Sequence, residues 1–160
     1  MNNFVKKGLK LIIAIFICQC AGIIGSLFTT KSINTWYQTI NKPIITPPGW
    51  VFGPVWISLY FLMGIAIYLI WIKGIEKKEV KFAMILFFVQ LTLNATWSIS
   101  FFGMKSPLYG LINIFLLLIF LLATTIQFFK ISKKATYLMI PYILWASFAT
   151  ILNFWILLIN

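Results

Sequence analysis

A chain of 160 residues that is 62% hydrophobic and 9% charged, with a mean hydropathy of +1.01, carries more apolar surface than a water-soluble domain of its size can bury. Its formal charge of +11 comes from 13 lysines against Glu76 and Glu79, and the lysines fall between apolar runs rather than along one face, which argues against a nucleic-acid surface. No histidine is present, so histidine-ligated haem, histidine metal sites and histidine general-base catalysis are excluded.

The first apolar run, Leu9–Phe28, follows Lys6, Lys7 and Lys10 and continues without a small-residue cleavage site. It reads as a retained transmembrane helix rather than a leader. Ala14, Cys18, Gly22 and Ser26 recur at four-residue steps, with Ala21 and Gly25 alongside, and small residues at this spacing let helices approach closely. Packing within one chain accounts for the stripe; a homodimer face is the alternative. Cys18 and Cys20 point to roughly opposite sides of a helix, so they neither chelate a metal together nor bond to each other.

A long connection follows, Thr29 to Trp50, roughly 22 residues, and loops of that length in compact domains are functional or disordered. Trp36 and Tyr37 suit a short helix within it. Pro47 and Pro48 suit the start of the next helix, with Thr46 as its N-cap. The loop aromatics either anchor at the membrane interface or close a lid over a pocket.

Four further apolar runs, Val51–Ile72, Phe82–Phe102, Leu108–Phe129 and Ala135–Ile159, each approach the ~20 residues that cross a hydrocarbon core as a helix. They lack the alternation of a membrane barrel. The fold class is therefore an all-α membrane protein, a five-transmembrane-helix bundle forming one domain over residues 1–160. Lys6, Lys7, Lys10, Lys73, Lys77, Lys78, Lys81, Lys130, Lys133 and Lys134 share one side; only Lys31, Lys42 and Lys105 lie on the other. That asymmetry predicts a cytoplasmic N-terminus and an outward C-terminus. The lysine-rich, arginine-free composition leans towards a bacterial cell membrane.

Three helices carry matching stripes. Phe52, Trp56, Tyr60, Met63 and Ile67 share a face of the second; Gln90, Asn94, Trp97 and Phe101 a face of the third; Tyr142, Trp145, Ala149 and Asn153 a face of the fifth. Amides are costly against lipid, so Gln90, Asn94 and Asn153 are expected to point inward. The stripes either build an aromatic pocket with a few neutral polar groups or serve as core filler and interhelical glue.

The stretch WYQTINKPIITPPGWVFGPVWISLYFLMGIAIYLIW, Trp36 to Trp71, resembles the translocator protein family, also called tryptophan-rich sensory proteins or peripheral benzodiazepine receptors. The blocks QLTLNATWSISFF, Gln90 to Phe102, and PYILWASFATILNFWILLIN, Pro141 to Asn160, agree in order and spacing. Ile45 departs from the pattern, standing where the family commonly has a tryptophan. The resemblance implies five helices around a pocket near the long loop, and a hydrophobic ligand of the porphyrin or haem-type tetrapyrrole class, with no obligatory cofactor. The expected ligand-binding residues are Trp36, Tyr37, Pro47, Trp50, Phe52, Trp56, Tyr60, Gln90, Asn94, Trp97, Tyr142, Trp145, Ala149 and Asn153.

Three functions follow for weighing. A membrane sensor or carrier for porphyrins or other hydrophobic molecules leads. An enzyme promoting light- and oxygen-dependent porphyrin breakdown is the alternative, with Trp56 and Trp145 as its catalytic residues. Ion-coupled transport is disfavoured because no acid or arginine lies within any span.

Overall fold

The computed structural model describes residues 3–160, and its elements run α1 (Asn3–Ile33), α2 (Trp36–Thr39), α3 (Gly49–Trp71), α4 (Lys78–Ser98), a π-helical turn (Ile99–Gly103), α5 (Pro107–Ile131) and α6 (Lys133–Leu158). Continuous apolar sequence makes helix the only inexpensive choice in lipid, since each helix satisfies its own backbone. Five of these helices are long and apolar enough to cross a membrane. Around the bundle the neighbours run α1, α3, α6, α5, α4 and back to α1. The lysine clusters of α1, of the α3–α4 turn and of the α5–α6 junction collect at one end, here the lysine end; α2 and the long connection lie at the opposite, loop end.

Helix boundaries differ from the hydropathy boundaries for identifiable reasons. α1 continues past Phe28 to Ile33 because Thr29 and Thr30 fold their hydroxyls back onto the Gly25 and Ser26 carbonyls, at 3.2 and 2.9 Å. Polar side chains therefore extend the helix beyond the membrane edge instead of ending it. The connection shrinks accordingly to residues 34–48, with α2 where Trp36 and Tyr37 are expected. Thr46 is not the N-cap of α3. Its hydroxyl donates to the Pro43 carbonyl at 2.7 Å within a Pro43–Thr46 turn, and the helix starts only at Gly49, with Pro48 in the cap position.

Short junctions set the remaining helices antiparallel. Gly74, at φ +106°, makes the left-handed turn between α3 and α4. Ser132 alone joins α5 to α6, ending the first helix and accepting the Ala135 N–H at the start of the second. Ser106 does the same for α5, accepting the Tyr109 N–H ahead of Pro107.

The core is densest towards the lysine end. Met63, Ile70, Phe87, Leu121, Phe128 and Met139 are fully buried there, with Phe87 stacked on Phe128 at 6.0 Å. Alanines 14, 66, 83 and 135 sit at the crossings. The small-residue stripe of α1 packs inside the monomer: Ala14, Cys18, Ala21 and Gly25 are buried, and Ser26 is exposed. Cys18 and Cys20 are both free thiols.

Gly64 marks a close approach of the α3 backbone to that of α1, since a Cβ there would lie 2.6 Å from Ile15 Cα. Gly64→Val should force α1 off α3 and cost about 1–3 kcal/mol, the range for overpacking a core. Thermal unfolding in detergent reads this directly, and an unchanged midpoint would show that the crossing has room to spare.

Candidate functional site: a half-open aromatic cavity

Towards the loop end the packing gives way to a cavity of about 470 Å³ between α1, α3 and α4. Its aromatic walls are Trp50, Phe52 and Trp56 from the first turns of α3, Trp97 from the end of α4 and Phe102 from the π-helical turn. Pro54 opens this part of α3. It has no N–H to offer the Trp50 carbonyl, and Gly49 and Gly53 flank it without side chains. The opposite wall is the flat face of α1, with Gly22, Gly25, Ser26 and Thr29.

The polar groups of the walls are neutral and mostly paired. Tyr60 donates its hydroxyl proton to Asn94 Oδ1, and Asn94 Nδ2 donates to the Tyr142 hydroxyl, so three helices share one amide at the cavity floor. All three residues are buried. Thr29 reaches Ser98 Oγ at 3.4 Å, and Gln19 Nε2 donates across to the Ile57 carbonyl at 3.1 Å. Among the described residues, no charged side chain lines the cavity.

Of the expected ligand-binding residues, Trp50, Phe52, Trp56, Tyr60, Asn94 and Trp97 meet around this space. Trp145 stands behind Trp56, edge-on at 6.4 Å, and also meets Phe52 at 6.0 Å. Tyr142 backs the same ring at 6.3 Å and holds Asn94. Ala149, half-buried on α6, does not reach the cavity wall. Asn153 ties α6 to α5 through the Pro107 carbonyl at 2.8 Å and receives the Trp97 indole N–H at 3.4 Å. Gln90 faces inward as expected and is fully buried, yet neither end of its amide finds a partner.

The loop residues sit apart. Trp36 and Tyr37 pack their rings on Phe101, at 5.5 and 6.2 Å, and Tyr37 also meets Phe102 at 5.5 Å. Burial pushes the Tyr37 phenol up to about 12, so it stays neutral in its seat. Lys42 Nζ caps the short helix through the Tyr37 carbonyl at 2.6 Å while lying over the Tyr37 ring. Asn41 and Asn160 exchange hydrogen bonds like two strand residues, N–H to Oδ1 at 2.9 Å and Nδ2 to carbonyl at 3.0 Å. Pro47 is half-buried and lies off the cavity wall. The loop thus closes the α4–α6 side of the bundle end.

Sequence reasoning missed the whole α1 wall. Gln19 carried a usable sign, since an amide inside a span must find a polar partner by the rule that placed Asn94. Ser98 and the glycines at 22 and 25 carried none beyond small size.

Comparison with known proteins places this geometry in context. Residues 14–159 match the model of the TspO/MBR family. The tryptophan-rich protein TspO of Chlorobaculum tepidum is 46% identical over 97% of this chain and 98% of its own length. The human translocator protein is 37% identical over 82% of this chain and 78% of its own. A tryptophan-rich sensory protein of Cereibacter sphaeroides is 37% identical over 87% and 85%.

The shared amide gives a stability test. Tyr60→Phe leaves Asn94 Oδ1 without its donor and should cost about 1 kcal/mol, as interhelical hydrogen bonds do in membranes. Trp97→Phe loses only the long bond to Asn153 and should cost less through hydrogen bonding. Thermal unfolding of the two variants in one detergent decides the order, and equal stability of Tyr60→Phe and wild type would remove Asn94 as the tie.

Proposed function

Because this chain is an integral membrane protein belonging to the TspO/MBR family, we propose that it binds porphyrins or similar flat hydrophobic molecules as a membrane sensor or carrier. One observation carries this reading: an aromatic cavity of about 470 Å³ inside the membrane-spanning part, walled by indoles and floored by a neutral amide. Its size falls in the ~300–1,000 Å³ range of small-molecule sites. Indole faces favour a flat conjugated ring, and Asn94 and Ser98 offer orientation without charge. The names of the relatives, sensory and translocator proteins, point the same way. Trp56 is the central contact, since its ring reaches the cavity with Tyr60 at 5.7 Å and Trp145 behind it.

The orientation belongs to the same reading. Ten of the 13 lysines gather at one end, so the loop end and Asn160 face away from the cytoplasm, in a bacterial cell membrane. A reporter fused after Asn160 should be active only outside the cytoplasm; cytoplasmic activity would reverse the assignment.

Titration with protoporphyrin, dark and illuminated, tests the binding itself. Saturable quenching of tryptophan fluorescence without pigment loss is the expected result. Trp56→Leu should weaken binding roughly tenfold, about 1.4 kcal/mol. Wild-type affinity in a folded Trp56→Leu protein would remove the cavity as the site, and protein-dependent bleaching in light would replace binding by degradation.

A further inference from the structure

The cavity is incomplete on the side facing lipid. α1 and α3 approach backbone to backbone at Ile15 and Gly64, and at Gly22 an added Cβ would still lie 2.5 Å from the Tyr60 ring. Nearer the loop end the helices part: a Cβ on Gly53 would meet nothing within 4 Å. Ile23 and Ile57, on opposite rims, line the cavity and are nevertheless 60% and 62% exposed. Trp50 lines it at 76% exposure. These side chains belong to the cavity wall and to the outer surface at once.

The depth of the gap decides what it opens onto. Ile57 lies eight residues into α3 and Ile23 ten residues from the end of α1, so both rims sit ~12–15 Å below the loop end at ~1.5 Å per residue. That is inside a ~30 Å hydrocarbon core, not at the water surface. The Gln19 to Ile57 hydrogen bond at 3.1 Å forms a sill across the bottom of the gap. The loop end is fastened meanwhile by Tyr37 on Phe102, by Ser32 Oγ on the Phe102 carbonyl at 2.8 Å, and by the Asn41–Asn160 pair.

Resting on the ligand-binding reading above, we propose that the gap between α1 and α3 is a lateral portal, through which a membrane-dissolved flat lipophile enters the cavity directly from the bilayer. A hydrophobic ligand already resides in lipid, and this route keeps its apolar surface out of water throughout. Entry at the loop end would require the same molecule to leave the membrane first.

The test compares association rates of protoporphyrin preloaded into phosphatidylcholine vesicles, followed by stopped-flow tryptophan quenching. One variant, Asn41→Cys with Asn160→Cys in a background where Cys18 and Cys20 are alanine, fastens the loop by a disulfide. Another, Gly53→Leu, puts a side chain into the gap. The portal requires the fastened loop to bind at the rate of its reduced form. Because Gly53 also lines the cavity, the portal is read from rates and not from affinity: Gly53→Leu is required to slow both association and dissociation, association by roughly tenfold. Slow association on fastening the loop, or association and dissociation no slower than wild type in Gly53→Leu, overturns the portal while leaving the cavity as a binding site. Absence of saturable quenching in the wild type would instead remove the binding reading, and the portal with it.

Discussion

A hydrocarbon interior offers no hydrogen-bond partner, so every polar side chain placed there must find one within the bundle. Asn94 meets that requirement in a way that organises the rest. Its carbonyl takes the proton of Tyr60 from α3, and its amide gives one to Tyr142 on α6. A single side chain on α4 thereby fixes the distances among three helices at one level of the membrane. Below that level buried aliphatic and phenylalanine side chains form the core. Above it the same helices part, with α1 meeting α3 again through the Gln19–Ile57 hydrogen bond and where Ile33 approaches Gly49. The cavity is therefore the consequence of where the tie sits: a polar floor with a solid lower half and a parted upper half.

Much of this was legible in the order of residues. Continuous apolar runs gave five helices, because length and hydropathy alone decide membrane crossing. Four-residue steps placed Tyr60, Met63, Asn94 and Tyr142 on inward faces, and these four are buried. Two features escaped for physical reasons. Hydropathy reports the edge of the membrane and not the end of a helix, so hydroxyls folded onto α1's own backbone extended it unseen. Spacing within a helix also says which residues share a face, not which neighbour that face meets. Trp145, Ala149 and Asn153 share a stripe with Tyr142, yet they back Trp56, face no cavity and tie α5, respectively. The α1 wall was hidden for the converse reason, since glycine and serine contribute to a cavity by what they leave empty.

Gln90 shows the same economy at its limit. One turn from Asn94, it is buried without a partner for either end of its amide. An unpaired amide costs more than an apolar group of the same shape, so this position works against the packing around it.

The π-helical turn at Ile99–Gly103 has an implication for how the chain tolerates change in length. Met104 and Ser106 donate to carbonyls five residues back, at 2.8 and 3.2 Å, so the helix holds one residue more than its rise requires. Removing one residue from this turn would restore ordinary α-helical pairing without rotating Asn94 on one side or Ser106 on the other. The loss would fall on Phe101 and Phe102, which lie in the wide turn and whose rings meet at 4.9 Å. A deletion that would scramble the register of any other span would here fall on the seat of Trp36 and Tyr37 and on the cavity wall at Phe102.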